Sequence, residues 1–167
     1  MTTALVSASR YYFSARFSTH PVMRRRRDEL FAAVPGATVT SRWIDPDSPD
    51  ATSVTEDDIA KDSAGTWRFA AEAMADLEDS DTLVCFTGGG GRGGRHAELG
   101  YFLALARPDD RRRVVVVGPR EHIFHCCPQA EVFDTWEAFL DAERRRCGRS
   151  PSTIHEAATT SPEGVHR

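Results

Sequence analysis

The length and composition of the chain indicate one globular domain. Its 167 residues match the roughly 100–200 residues of a typical domain, and an apolar fraction of 40% is enough for a hydrophobic core. The net charge of -4 gives no general attraction to nucleic acid or to anionic membranes. No apolar run approaches the roughly 20 residues that cross a bilayer, and the N-terminus lacks the pattern of a signal peptide. We therefore expect a cytoplasmic protein that has neither nucleic acid nor a membrane as a partner.

Strand-like and helix-like segments alternate along the chain. Short apolar runs rich in β-branched and aromatic residues predict strands, and apolar residues three or four positions apart predict helices. In chain order the predicted elements are a strand over 10–15, a helix over 22–34, a strand over 37–44, a helix over 57–78, a strand over 82–87, a helix over 97–106, a strand over 113–118, a short strand over 131–133 and a helix over 135–146. The acidic segment 45–58 is predicted to be a loop above the strand ends.

This alternation predicts an α/β fold. The run RVVVVG at 113–118 is continuously apolar, as in strands buried on both faces of a parallel sheet, whereas segment 37–44 alternates and is expected nearer an edge. Right-handed crossovers leave few topologies. We predict a flavodoxin-like, Rossmann-like sheet of about five parallel strands in the order 2-1-3-4-5, with helices on both faces. The domain is predicted to span 1–147, followed by a flexible C-terminal tail over 148–167.

The cysteines and histidines do not predict a metal or redox site. Cys85 lies in an apolar run, Cys126 and Cys127 are adjacent, and the chain has no C-x-x-C pair. The histidines show no H-x-x-x-H spacing. We therefore expect reduced structural thiols and neither a metal nor another cofactor.

The segment TGGGGRGGRHAELGYFLALA at 87–106 is the most informative. A glycine loop follows a predicted buried strand and leads directly into a helix, which is where open α/β sheets bind ligands. Glycine permits positive φ and close backbone approach to a ligand, and the free N–H groups of the next helix favour a phosphate or carboxylate. The segment matches neither G-x-x-x-x-G-K-[ST] nor a clean G-x-G-x-x-G with a downstream acid, which disfavours P-loop kinases and dinucleotide dehydrogenases.

Glu98 is predicted to lie in the first turn of the helix after this loop. There the helix dipole favours the ionised carboxylate, and the carboxyl edge of the sheet is suited to meet a sugar. An ionised glutamate can attack an anomeric carbon and form a glycosyl-enzyme. On local grounds alone, the alternative is that Glu98 only stabilises the helix N-terminus.

The segment GGRHAELGYFLAL resembles the E-[LI]-G-[YW]-A motif of the nucleoside 2-deoxyribosyltransferase family, which includes deoxynucleoside 5′-monophosphate N-glycosidases. YFSARF at 12–17 is similar to the family's first strand and turn, DTLV at 81–84 to its third strand, and residues 113–119 to the strand after the catalytic helix. The resemblance spans residues 11–140. It implies an enzyme that cleaves or transfers the N-glycosidic bond of a (deoxy)nucleoside or its 5′-monophosphate through a glycosyl-enzyme at Glu98, without a cofactor.

The resemblance also implies roles for other residues. Tyr12 is expected near the Glu98 carboxylate, which it orients. Arg42 and Trp43 are candidates for the base pocket, since an indole face stacks on a nucleobase. The implied substrate-binding residues are Ser14, Ala15 and Arg16 beside the sugar or its 5′ group, Trp43 at the base, Gly88, Gly89 and Gly94 in the loop, and Arg92, Arg95 and His96 as the frame for a 5′-phosphate.

One family position differs in this chain. Family members usually carry an aspartate, which holds the base or donates a proton, eight residues before the aspartate that begins the third strand. Counting back from Asp81, that position is Ala73. The candidate substitutes are Glu72, Asp76, Asp58 and Asp62. We take Asp76 as the catalytic acid.

Two other functions are alternatives. GGGGRGGRHAE echoes the P-G-G-x-G-T-x-x-E motif of lysine decarboxylase-like phosphoribohydrolases, although its Pro and Thr are missing. The absence of an acid at Ala73 favours the other alternative, a nucleotide-binding sensor or regulatory module without turnover.

The resemblance further implies a homo-oligomer, a dimer or higher. Family members complete their active sites with residues of a neighbouring subunit. In this chain His122, His125 or the tail after Gly148 are the candidates to reach across.

Overall fold

The computed structural model describes residues 9–45, 63–88, 93–107, 109 and 111–148. Within these residues the chain forms five strands, four α-helices and three short 3₁₀ segments. The strands are β1 (Arg10–Ser14), β2 (Thr38–Val39), β3 (Thr82–Phe86), β4 (Arg113–Val117) and β5 (Ala130–Phe133). The helices are α1 (His20–Ala33), α2 (Ser63–Glu78), α3 (Gly94–Ala106) and α4 (Trp136–Gly148), and the 3₁₀ segments are Phe17–Thr19, Arg42–Ile44 and Ile123–Cys126. The predicted loop beyond residue 45, the predicted start of the second helix over 57–62 and the tail from 149 lie outside the described residues.

The strands form one parallel sheet in the order β2-β1-β3-β4-β5, which confirms the predicted fold class and topology. Every residue of β3 is buried, as are the valines of β4. Each such side chain contributes about 1.5–3 kcal/mol through its removal from water. Because β1 has β2 on one side and β3 on the other, the chain order reverses at β1. The carboxyl edge of the sheet at such a reversal is where open α/β sheets usually bind ligands.

Helices cover both faces of the sheet. α1 packs against α4 on one face, and α2 packs against α3 on the other. Alternate residues of β1 therefore serve different faces: Tyr11 and Phe13 contact Phe139 and Trp136 of α4, whereas Tyr12 and Ser14 point to α3. None of the helices in the described ranges has the length and apolar character needed to cross a bilayer.

The second strand is much shorter than predicted. The sequence pattern indicated a strand over 37–44, but only Thr38–Val39 pairs with β1, at the sheet edge. Further along β1, side chains rather than a strand provide the hydrogen-bond partners of the Phe13 backbone. The Ser41 hydroxyl accepts a hydrogen bond from the Phe13 N–H at 2.6 Å, and the Trp43 indole N–H donates to the Phe13 carbonyl at 3.0 Å. Because these groups replace strand partners, the chain turns into the 3₁₀ segment Arg42–Ile44 above the sheet.

The helix that carries Glu98 begins earlier than predicted. α3 starts at Gly94 rather than at residue 97, and the His96 and Ala97 N–H groups both donate to the Gly93 carbonyl. Glu98 therefore lies in the second turn, and the predicted position in the first turn is wrong. The residues before Ala97 are glycine, arginine and histidine, which carry no apolar periodicity. The apolar pattern alone therefore places the start of the helix too late.

Candidate active site

Glu98 is held by two hydroxyl groups of the first strand. The Tyr12 hydroxyl donates to Glu98 Oε1 at 2.8 Å, and the Ser14 hydroxyl donates to Oε2 at 2.5 Å. Both Tyr12 and Ser14 are completely buried, so their rotamers are fixed by packing. Both carboxylate oxygens are thus oriented from the strand, at the carboxyl edge of β1 where the strand order reverses.

Burial and hydrogen bonding act in opposite directions on this carboxylate. Burial raises the pKa of Glu98 above its ordinary value, and the hydrogen bonds from Ser14 and Tyr12 offset only part of that rise. Burial, followed by the charge of Glu98, raises the pKa of Tyr12 well above its ordinary value. Tyr12 therefore stays protonated and remains a donor to Glu98. The buried Cys85 is not a candidate nucleophile, because burial raises the pKa of its thiol to about 12.

Several of the other predicted residues line a cleft. The cleft is lined by Arg42, Trp43, Phe69, Glu72, Ala73 and Asp76. The Trp43 ring is buried, and its neighbour Phe17 lies with ring centroids 5.5 Å from Trp43 and 5.1 Å from Phe69. The cleft thus places aromatic side chains beside charged groups.

Asp76 lies in this cleft as the partner of Arg42. Its Oδ1 accepts from Arg42 Nε at 2.8 Å and its Oδ2 accepts from the Arg42 backbone N–H at 3.0 Å. Burial raises the pKa of Asp76 in spite of the opposing bonds from Arg42. The charge of Asp76 also contributes to the raised pKa of Tyr12. Asp76 is therefore close enough to act electrostatically on the hydroxyl group that binds Glu98. Glu72 meets Arg42 only through its backbone carbonyl.

The ends of the glycine loop lie at the same edge of the sheet. Gly88 has φ of 95°, a backbone conformation that favours glycine, and its N–H donates to Glu121 Oε1 at 3.0 Å. Gly94 is exposed as the first residue of α3. Gly89 and Arg92 lie outside the described residues.

Arg95, which the sequence placed at a 5′-phosphate, instead points into the protein. It is buried, Nη2 lies 2.5 Å from Glu121 Oε2, and Nη1 donates to the Phe86 carbonyl at 3.4 Å. The Glu121 carboxylate of the same chain thus pairs with this buried guanidinium and neutralises its charge.

His96 packs on two other histidines of its own chain. Its ring centroid lies 4.9 Å from that of His122 and 5.6 Å from that of His125. His122 and His125, for which the sequence suggested contacts with a neighbouring subunit, thus contact α3 of the same chain. Burial, followed by the neighbouring Arg95 charge, lowers the pKa of His96. Among the described residues, no group of three or more His, Cys, Asp or Glu side chains is arranged to hold a metal ion.

The remaining predicted residues follow β1. Ala15 is partly buried against the core, and Arg16 is exposed at the start of the 3₁₀ segment, where its carbonyl accepts from the Thr19 N–H at 2.9 Å. Both lie at the carboxyl edge, next to Ser14.

Comparisons with known proteins yield one structural likeness to report. No protein-family model matches the chain, and no curated protein matches its sequence. Among solved structures, the CMP N-glycosidase BcmB from Clostridium botulinum is similar, with a TM-score of 0.47 and 13% identity, over 80% of this chain and 97% of that chain. Similarity at this level carries no information on the reaction.

Sequence reasoning missed Glu121 and the internal role of His125. Both follow the end of β4, a buried parallel strand whose carboxyl end lies at the ligand-binding edge. Polar residues directly after such a strand are candidates for a site on that ground alone. The signal was therefore present in the segment GPREHIFH at 118–125.

Proposed function

We propose that this protein cleaves or transfers the N-glycosidic bond of a (deoxy)nucleoside or its 5′-monophosphate, with Glu98 as nucleophile. The observation that carries the proposal is the Glu98 carboxylate held by Tyr12 and Ser14 at the carboxyl edge of β1, where the strand order reverses. The reaction class comes from the resemblance of the segment around Glu98 to the deoxyribosyltransferase motif. The Trp43 and Phe69 side chains, which line the adjacent cleft, are the candidates to contact the base.

The reaction has two displacements. A Glu98 oxygen attacks C1′ of the sugar, the bond from C1′ to the base nitrogen breaks, and its electron pair leaves with the base, which takes up a proton. A water molecule or a second base then attacks C1′ of the glycosyl-enzyme and gives up a proton to the group that protonated the leaving base. The bond from C1′ to the Glu98 oxygen breaks, and its electron pair returns to the Glu98 carboxylate. Tyr12 and Ser14 keep the carboxylate oriented before the attack. Release of free base without an acceptor base distinguishes hydrolysis from transfer.

The test is a chromatographic screen for free base over a panel of nucleosides and 5′-monophosphates, with and without an acceptor base. We expect release from at least one member of the panel. No release from any member, together with an intact fold, contradicts the proposal.

Asp76 is the best candidate to protonate the leaving base. Its raised pKa and its position in the aromatic cleft favour it over Glu72, whose side chain has no contact with Arg42. We expect Asp76→Asn to lower kcat roughly 10²-fold, the lower end of the usual contribution of a general acid. Glu72→Gln tests the other acid that lines the same cleft, and it is expected to lower kcat less than Asp76→Asn does. Equal effects of the two variants on kcat contradict this assignment.

The pH dependence of base release reports the environment of Glu98. The nucleophile must be ionised, and burial raises its pKa, so activity is lost on acidification at a higher pH than for an ordinary glutamate. Since the Ser14 hydroxyl lowers this pKa, Ser14→Ala is expected to move the acidic limb of the kcat profile further toward neutral pH. The measurement is kcat against pH for both proteins; an acidic limb that stays in place or moves down argues against the role of Ser14.

A second candidate, a nucleotide-binding module without turnover, draws on one observation. Both oxygens of Asp76 are engaged by Arg42, and position 73 is an alanine, so that Glu72 is the remaining acid among the residues that line the cleft. Calorimetric binding of a nucleotide with no base release over long incubation favours this candidate.

A further inference from the structure

One carboxylate connects the two ends of the glycine loop. Glu121 Oε1 accepts from the Gly88 N–H at 3.0 Å, and Glu121 Oε2 pairs with Arg95 Nη2 at 2.5 Å. Gly88 is the second residue after β3, and Arg95 is the second residue of α3. The loop between them is therefore tied at both ends to a single side chain that comes from the segment after β4.

The backbone of Glu121 is held by a buried histidine. The Glu121 N–H donates to His125 Nδ1 at 3.1 Å, and His125 is completely buried. An imidazole whose Nδ1 accepts must carry its proton on Nε2 when it is neutral. Burial, followed by the positive charge that His96 and His122 can acquire, lowers the pKa of His125; Arg95 acts in the same direction and Glu121 opposes them. The ring therefore stays neutral near pH 7, and the anchor of Glu121 persists.

The Glu121 contact bears on the position of the nucleophile. Arg95 and Glu98 are three residues apart on α3, so they are held by the same turn of helix. The Arg95 guanidinium also donates to the carbonyl of Phe86, the last residue of β3. The ion pair thus fixes the N-terminus of α3 against the end of β3, while Tyr12 and Ser14 fix the Glu98 side chain against β1. The two restraints act on different elements, because Glu98 lies on the helix and its hydroxyl partners lie on the strand.

We propose that Glu121 is a positioning residue of the candidate site, which holds Gly88 and Arg95 together and thereby sets the placement of the α3 N-terminus against the end of β3. The inference rests on the proposed function for its consequence in catalysis. Glu121 also cancels the charge of Arg95, so that Arg95 holds the helix rather than binding the substrate.

Three variants separate positioning from simple loss of stability. Glu121→Ala removes both contacts, whereas Glu121→Gln keeps an amide oxygen for the Gly88 N–H and weakens only the pairing with Arg95. Glu131→Gln is the matched control, because Glu131 also pairs with a partly buried arginine, Arg113, with Nε to Oε1 at 2.9 Å, but lies beside β4 and α4 away from the loop. Should Glu121→Ala fail to fold, Glu121→Gln carries the comparison with the control.

Amide hydrogen exchange over residues 86–98 is measured without substrate, so it does not depend on turnover. We expect the Gly88 amide to exchange faster by at least roughly tenfold in Glu121→Ala, since it loses a charged acceptor, and by less in Glu121→Gln. Glu131→Gln leaves exchange in this region unchanged. Unaltered exchange in Glu121→Ala overturns the proposal.

Steady-state kinetics on the best substrate of the panel give the second readout. We expect kcat/KM to fall roughly tenfold to a hundredfold in Glu121→Ala and to recover in part in Glu121→Gln, with kcat/KM of Glu131→Gln close to wild type. If all three variants lose thermal stability and none changes kcat/KM, Glu121 is structural only and the proposal is overturned. If the wild-type protein releases no base while Glu121→Ala speeds exchange at Gly88 and weakens nucleotide binding, the proposed function fails and the positioning role stands.

Discussion

Glu98→Gln is expected to abolish base release, with a fall in kcat of at least about a thousandfold, while the fold stays intact. The amide has the size of the carboxylate but is not a nucleophile toward C1′. Its oxygen can accept from one of the two hydroxyl groups that hold Glu98, and its NH₂ group can donate to the other, because a hydroxyl oxygen also accepts. Since burial penalises the charged carboxylate, the neutral amide is not expected to lower the melting temperature.

Mass spectrometry of the intact protein provides the direct measurement. Wild-type protein quenched during turnover is expected to carry the added mass of one sugar, or of one sugar phosphate, and Glu98→Gln is expected to carry none. The exposed Glu137 on α4 supplies the control, and Glu137→Gln should retain both activity and the covalent adduct. Base release from Glu98→Gln at the wild-type rate would remove Glu98 from the chemistry.

Glu143→Ala is expected to lower the free energy of unfolding by about 3–5 kcal/mol, the usual effect of removing one partner from a buried ion pair. Glu143 is 1% exposed. Its Oε2 accepts from the Tyr11 hydroxyl at 2.5 Å and from Arg113 Nη1 at 3.2 Å, and its Oε1 lies 3.0 Å from Arg113 Nη2 as an ion pair without hydrogen-bond geometry. Removal of the carboxylate leaves the buried Tyr11 hydroxyl without its acceptor, and it leaves the more exposed Glu131 as the remaining partner of the Arg113 charge.

Thermal and urea unfolding measure this effect, and a fall in melting temperature of roughly 10 °C or more is expected. Glu131→Gln, which removes the more exposed partner of Arg113, is expected to cost less than about 1 kcal/mol. Replacement of both ends of the buried pair, Arg113→Met with Glu143→Leu, is expected to recover most of the loss, because no buried charge is then left alone. A cost of Glu143→Ala no greater than that of Glu131→Gln contradicts this account of the core.

The parts of the fold that could be predicted from the sequence are those with local causes. The continuous apolar runs of β3 and β4 require burial on both faces, which only a covered parallel sheet provides. Alternation of such runs with amphipathic helices then leaves the observed strand order as one of few choices. Even the edge position of β2 followed from the alternating pattern around Thr38 and Val39.

The errors have non-local causes. The residues after Val39 are suited to a strand, but Ser41 and Trp43 satisfy Phe13 with their side chains, and no local pattern reveals such contacts. The start of α3 was misplaced because a glycine-rich segment carries no apolar periodicity. Arg95 was taken as a ligand for phosphate because its partner, Glu121, lies 26 residues away in the chain.

By itself, the sequence determined the alternation of elements, the burial of the central strands and the presence of an acidic residue, Glu98, just beyond a glycine loop. Only the tertiary structure decided what surrounds that residue. Tyr12 and Ser14 lie 86 and 84 positions from Glu98 along the chain, and Asp76 is paired with Arg42, 34 positions away. Local preferences depend on neighbours within a few residues, whereas the orientation and pKa of a carboxylate depend on the atoms within a few ångströms, and the parallel sheet brings those atoms from distant parts of the chain to one edge.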